Sequence, residues 1–409
     1  MTIGQADSGL RYAIRRSSGA TAWCSLSIGC GARDEEGFGS GIAHFAEHCI
    51  FKGTARRSSR VINSCLERLG GELNAYTTKE EIVIHSATLK EDFGTALDLI
   101  LDLAAFPAFP DSEVAKERGV VADEIKACKD SPSEEIFDKF EELYFGPHPL
   151  GRPVLGSVQS VRRLDGEQLR RFAAEKFHPG NMALCLVADI DEKKAEEALL
   201  RRAARFFPSA AGQPPGRKLL PAYKRAGFET VRDKRHHEAN YVLGGPAPSL
   251  YDEKERMAAF LLGNILAGPA ANSLLNNLLR EKNGWVYGVE SNYSQYSDTG
   301  LMTLSLGCER ANLDKCVRAV RGVLDKLASK ALSPQKLKAA KRQALGQLAL
   351  SSDNGEAQCL SMGKSLLAWG TVHSDERGRE LIQAVSSAQL QEAAERIFAP
   401  ESLCSLTYL

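Results

Sequence analysis

Several common chemistries are excluded by what this chain lacks. Histidine is scarce, with 8 in 409 residues, and the charges cancel, 52 Lys and Arg against 52 Asp and Glu. No overall field therefore draws the protein to nucleic acid or to an anionic membrane. No apolar run reaches the roughly eighteen residues of a membrane span, and the N-terminus has neither the basic nor the apolar block of a signal peptide. A G-x-x-x-x-G-K-[ST] phosphate loop is missing, which argues against coupling to ATP, and so is a nucleophile elbow. The ten cysteines include no C-x-x-C pair, and several, such as Cys185, sit in apolar strand-like runs. They read as reduced, buried thiols of a cytoplasmic protein, not as a disulfide framework or a zinc knuckle.

What is present describes a globular protein, 43% hydrophobic and 25% charged, and too long for one ordinary core. Gly9 to Ile14 alternates like a first strand, which leaves no room for a removable presequence. The Pro- and Gly-rich stretch from Pro208 to Gly216 reads as an exposed linker. Two halves follow, 1–207 and 226–409, joined by a linker at 208–225. Both halves close with a helix ending in a basic residue and Phe, then a Pro, then an apolar strand: Lys176 to Val187 and Arg396 to Thr407. Phe109 to Glu117 likewise matches Leu332 to Lys341, each with a Pro before a long helix. An internal duplication of about 220 residues accounts for both matches.

Aligned on those prolines, Glu117 stands opposite Lys341 and Glu124 opposite Leu348. Residues 44–48 fall near Ile265 to Pro269, which holds no metal ligand. Thr21 to Ile28 and Ile82 to Leu89 read as strands. Gly41 to Phe51, Arg60 to Leu69, Asp92 to Leu103 and Ser112 to Cys128 read as helices. Strands and helices mixed in two similar halves imply an α+β architecture.

His44-Phe45-Ala46-Glu47-His48 is the most specific motif. His44 and His48 are four residues apart, so on a helix their imidazoles project from adjacent turns toward one point. That spacing suits two nitrogen ligands of one zinc ion, with Glu47 beside them as a base for the attacking water. The order H-x-x-E-H is the inverzincin pattern. A catalytic zinc usually takes a third protein ligand. Glu117 and Glu124, seven residues apart on one face of a helix, are the candidates, and periodicity does not choose between them. His236-His237-Glu238 lies in a highly charged stretch and reads as solvated surface.

These residues resemble the M16 metallopeptidases, the pitrilysin and mitochondrial processing peptidase group, over essentially the whole chain. His44 to Thr54 is similar to that family's H-F-L-E-H-x-x-F-K-G-T, Gly70 to Thr77 to its G-G-x-x-N-A-x-T, and Glu117 to Ile125 to its E-R-x-V-x-x-E-I. Ala46 and Cys49 replace residues that are usually larger and apolar. The resemblance implies His44, His48 and Glu124 as ligands of one zinc per chain, with Glu124 76 positions after His48. It implies Glu47 as the general base and Glu117 as a carboxylate orienting a ligand imidazole.

Leu279 to Tyr287 resembles the family's L-R-E-x-x-G-x-x-Y, whose Arg and Tyr reach the scissile carbonyl in active members; here they are Arg280 and Tyr287. Locally, Arg280 would end a helix, Gly284 would stop it, and Tyr287 would enter the next strand. By the same resemblance Asn74 and Ala75 lie on a strand edge that takes an extended peptide, whereas the residues alone make Asn74 a turn residue after Gly70-Gly71. The implied fold is two homologous α/β-sandwich halves of the LuxS and processing-peptidase type, enclosing a cleft. The first half binds zinc, and the second lacks ligands but supplies Arg280 and Tyr287.

The expectation is a zinc endopeptidase acting on peptides, without nucleic acid or membrane partners. The length resembles the short members that work as dimers, and both motifs on one chain favour a homodimer over a hetero-partner. Two rivals are a non-hydrolytic scaffold subunit, as the family contributes to respiratory complexes, and a zinc hydrolase of non-peptide amides.

Overall fold

Met182–Ala188 is buried at every position, which requires cover on both faces of its sheet. The computed structural model describes residues 1–208, 217, 219, 220, 223 and 225–409, so most of the linker expected at 208–225 lies outside the described residues. The strands are β1 (Thr2–Gln5), β2 (Arg11–Arg16), β3 (Thr21–Ile28), β4 (Glu72–Thr77), β5 (Ile82–Leu89), β6 (Met182–Ala188), β7 (Glu229–Arg232), β8 (Glu238–Ala247), β9 (Val286–Gln295), β10 (Gly300–Glu309) and β11 (Cys404–Tyr408). They form a six-stranded sheet ordered β1-β2-β6-β3-β5-β4 and a five-stranded sheet ordered β7-β11-β8-β10-β9.

Apart from β1, the two sheets repeat one topology. β2 runs parallel to β6 as β7 does to β11, and the remaining neighbours are antiparallel in both. The duplication read from the prolines therefore extends to strand order. The short β1 precedes the strand expected to come first; Thr2–Gln5 alternates only between half-buried and exposed, so no apolar pattern announced it.

The chain divides into two compact units, each assembled from three segments. One comprises Met1–Ala127, Arg152–Arg217 and Leu350–His373; the other comprises Cys128–Gly151, Lys218–Ala349 and Ser374–Leu409. In the first unit, α1 (Ile42–Ile50), α2 (Ser59–Glu67), α3 (Phe93–Ala105) and the start of α4 (Asp111–Asp130) accompany the six-stranded sheet. Along β6, Met182, Leu184 and Leu186 enter the main core with α1 and α3. The alternate Ala183, Cys185 and Val187 meet Cys359, Met362 and Leu366 of the helix Gly355–Trp369. That helix lies very close to the strands: a Cβ on Gly363 would come 2.5 Å from Ser27 Oγ.

The second unit mirrors this arrangement. Val242, Leu406 and Tyr408 pack on Ile136, Phe140 and Tyr144 of α5 (Pro132–Phe145). The other sheet face, with Tyr241, Leu243 and Leu304, meets the helices Glu253–Ala267, Leu313–Ser329 and Ser387–Ile397. Each half of the sequence thus contributes one helix to the sheet of the other.

The loop after α1 is anchored from α3. Asp102 is fully buried, accepts from Thr54 Oγ1 at 2.7 Å, and lies 2.6 Å from Arg57 Nη1. Breaking a buried pair strands its partner, so Asp102→Ala is expected to lower unfolding stability by about 3 kcal/mol in a urea titration. A change within 0.5 kcal/mol, roughly that of a surface substitution, would rule out this anchor.

Candidate metal centre

Helix α1 starts where Gly39-Ser40-Gly41 reverses the chain. Gly41 adopts φ +89°, and a Cβ there would press on Leu155 O at 2.7 Å. Gly41 has no side chain to cap the helix, and Glu35 caps it instead. Its carboxylate, 1% exposed, accepts from Gly41 N at 3.0 Å and Ala43 N at 3.0 Å. Ile42, Phe45, Ala46, Cys49 and Ile50 turn into the core. The opposite face carries His44, Glu47 and His48.

Burial pushes the Glu35 carboxyl up to about 7 from the ordinary 4.5, against the pull of its amide donors and of Arg152 and Lys79. Because the folded carboxyl titrates above 4.5, its contribution to stability is complete below pH 4.5 and lost as pH rises through about 7. Across that window the zinc-free wild type is expected to lose on the order of 3 kcal/mol relative to Glu35→Gln, read by urea unfolding at each pH. Parallel curves for the two proteins would contradict it.

His44, His48 and Glu124 come together, with one donor atom from each lying within 4.8 Å of the others. His44 Nε2 is 3.7 Å from Glu124 Oε1, and His48 Nε2 is 3.3 Å from Glu124 Oε2. Three donors at zinc bond lengths in a tetrahedron stand about 3.3–3.6 Å apart, so this set fits a zinc ion. Burial, and then the neighbouring His48, lower His44 to about 3, which keeps its imidazole neutral with a lone pair to offer. This is the one such donor cluster among the described residues.

Periodicity left Glu117 and Glu124 equivalent; their surroundings separate them. Buried Glu117 faces the far side of His48, with Oε1 3.1 Å from Nδ1, while its Oε2 meets Lys52 Nζ at 2.9 Å. A proton on Nδ1 donated to Glu117 leaves Nε2 free toward Glu124. Glu47 accepts from Thr77 Oγ1 at 2.6 Å, and burial raises its carboxyl above the ordinary range. Three carboxylates at this site face one ammonium, Lys52, an imbalance that favours a cation.

Glu47, His48 and Glu117 also line a cavity of about 390 Å³, with Phe51, Leu66 and Leu73 as its apolar wall. Asn74 and Ala75 border it from β4, the edge strand of the first sheet. Asn74 is therefore a strand residue, paired with His85, and not the turn residue its neighbours imply. Arg280 and Tyr287 belong to the second unit. Arg280 lies in the helical segment Asn276–Lys282, Gly284 follows at φ +60°, and Tyr287, 58% exposed, is second in β9.

Lys52, Thr77 and Glu35 carried no role in the sequence. Lys52 and Thr77 stood inside quoted motifs. Glu35 sat in an acidic run, Asp34-Glu35-Glu36, that gives no sign of burial.

Two α/β units, the first carrying a His-His-Glu donor set, describe a protein with a candidate metal site. Residues 11–158 match the family described as insulinase (peptidase family M16), and 163–344 match the peptidase M16 inactive domain. An uncharacterized zinc protease of Streptomyces coelicolor is 32% identical over 348 residues, covering 83% of this chain and 74% of that protein. The uncharacterized zinc protease YmxG of Bacillus subtilis is 27% identical over 93% of this chain and 91% of its own length. Among solved structures, a protease from Helicobacter pylori superposes with a TM-score of 0.89 at 18% identity, covering 100% of this chain and 98% of that one. This chain belongs to peptidase family M16. No helix among the described residues is long and apolar enough to cross a membrane.

Proposed function

We propose that this protein is a zinc endopeptidase that cleaves peptides or unfolded polypeptide segments. The observation that carries this reading is the donor cluster of His44, His48 and Glu124 with Glu47 directly beside it. Zinc held by His44, His48 and Glu124 would supply a Lewis acid for the scissile carbonyl and would lower the pKa of water toward neutrality. Glu47 takes the proton of the attacking water and returns it to the leaving amine. Glu117, braced by Lys52, keeps the His48 ring turned. Arg280 and Tyr287 would donate hydrogen bonds to the developing oxyanion, each worth roughly 10²–10³ in rate.

An extended substrate adds to the edge of β4 through its main chain, with one side chain in the cavity beside Phe51. Main-chain pairing favours unfolded segments and tolerates many sequences. Arg280 and Tyr287 on the zinc-binding chain favour a self-sufficient homodimer, and ten free thiols favour a reducing, cytoplasmic setting.

The test is incubation with an internally quenched, unstructured peptide and with a folded protein containing the same segment, products being read by mass spectrometry. Cleavage of the peptide alone is expected. Failure to cut it in zinc-loaded protein would overturn the reading.

A further inference from the structure

We propose that Thr77 is a positioning residue for the reaction: its hydroxyl holds one carboxylate oxygen of Glu47 so that the other faces the attacking water. This rests on the reading of Glu47 as the general base.

Thr77 Oγ1 donates to Glu47 Oε2 at 2.6 Å. A hydrogen bond to a carboxylate at that distance is among the stronger ones a protein forms. A lone contact could be incidental, but its surroundings are built to keep it. Thr77 is the last residue of β4 and pairs with Ile82 of β5, and its β-branched side chain has few rotamers. The turn that follows is closed on itself: Thr78 N bonds Glu81 O at 2.8 Å, and Thr78 Oγ1 accepts from Glu80 N at 3.2 Å and Glu81 N at 3.1 Å.

The outer side of this turn is fastened to residues 31–33. Ala32 N bonds Thr78 O at 3.1 Å, and Arg33 N bonds Lys79 O at 2.9 Å. The approach is so close that a Cβ on Gly31 would lie 2.3 Å from Thr78 O. Two residues further on, the same loop supplies Glu35, which grips the first turn of α1 through Gly41 and Ala43. One loop therefore fixes both partners, α1 bearing Glu47 and the strand end bearing Thr77. A carboxylate on a flexible stem needs such a hold if it is to be productive on every encounter.

Thr77 is not among the residues lining the cavity next to the donor cluster. Its hydroxyl is taken up by Glu47, so its effect should fall on turnover and not on substrate binding. Thr77→Val keeps the shape and removes the hydroxyl; Thr77→Ser keeps the hydroxyl. With the quenched peptide, Thr77→Val is expected to lose roughly 10- to 100-fold in kcat, with KM and bound zinc unchanged. Thr77→Ser should stay within about threefold of wild type.

A second readout needs neither metal nor turnover. Crystal structures of the zinc-free proteins should place the Glu47 carboxylate away from its wild-type position in Thr77→Val and at it in Thr77→Ser. Wild-type kcat in Thr77→Val, an unmoved Glu47 there, or zinc loss accompanying the rate loss would each overturn the proposal. Wild-type protein that cleaves nothing counts against the peptidase reading itself. The position of Glu47 in Thr77→Val would then support or refute the hold separately.

Discussion

Glu47→Gln is expected to keep zinc at the wild-type level while kcat for peptide cleavage falls by roughly 10²- to 10⁴-fold. The substitution is nearly isosteric, and the amide can still accept from Thr77 Oγ1 as the carboxylate does. The lost property is the ability to take a proton. Glu47 is not one of the three donors in the cluster, so metal content should not follow activity down. Elemental analysis beside single-turnover cleavage separates the two. Loss of zinc together with activity would make Glu47 a ligand or a structural residue instead of the base.

Removing a donor should do the reverse. His44→Ala and Glu124→Ala each leave two of the three donors, and the apparent zinc affinity is expected to fall by more than the roughly 10- to 100-fold typical of losing a partner behind a ligand. Glu117→Gln is the natural comparison, since Glu117 stands behind His48 at 3.1 Å. Competition with a chromophoric chelator gives all three values on one scale. Zinc held by His44→Ala as tightly as by the wild type would remove His44 from the ligand set.

Much of this site could be read in one dimension because its logic is helical. His44 and His48 recur at the helix period, and Glu47 comes with them, so a single nine-residue helix presents all three. The split between Glu117 and Glu124 could not be read that way. Both share a face of α4, and their tertiary neighbours separate them: Glu117 meets His48 Nδ1 and Lys52, while Glu124 meets His48 Nε2 and His44.

Glu35 was invisible for a similar reason. It is a buried cap whose partners lie across a chain reversal, while its neighbours in sequence are acidic and polar. In the fold, β3 and β5 were legible to the residue because each is an interior strand whose residues are mostly buried. β4 was legible only through the family pattern, since Glu72–Thr77 has no fully buried position. α5 and Gly355–Trp369 were not singled out in the sequence, and helical periodicity carries no information on which sheet a helix covers.

The central claim is that His44, His48 and Glu124 hold a zinc ion that makes this protein a peptidase. Its most direct test is one preparation of wild-type protein, stripped with a chelator and titrated with zinc, assayed at each step for bound metal and for cleavage of the quenched peptide. The account predicts that cleavage rises in proportion to bound zinc and levels off at one ion per chain. Zinc bound to saturation without cleavage, or cleavage undiminished in the stripped protein, would contradict it.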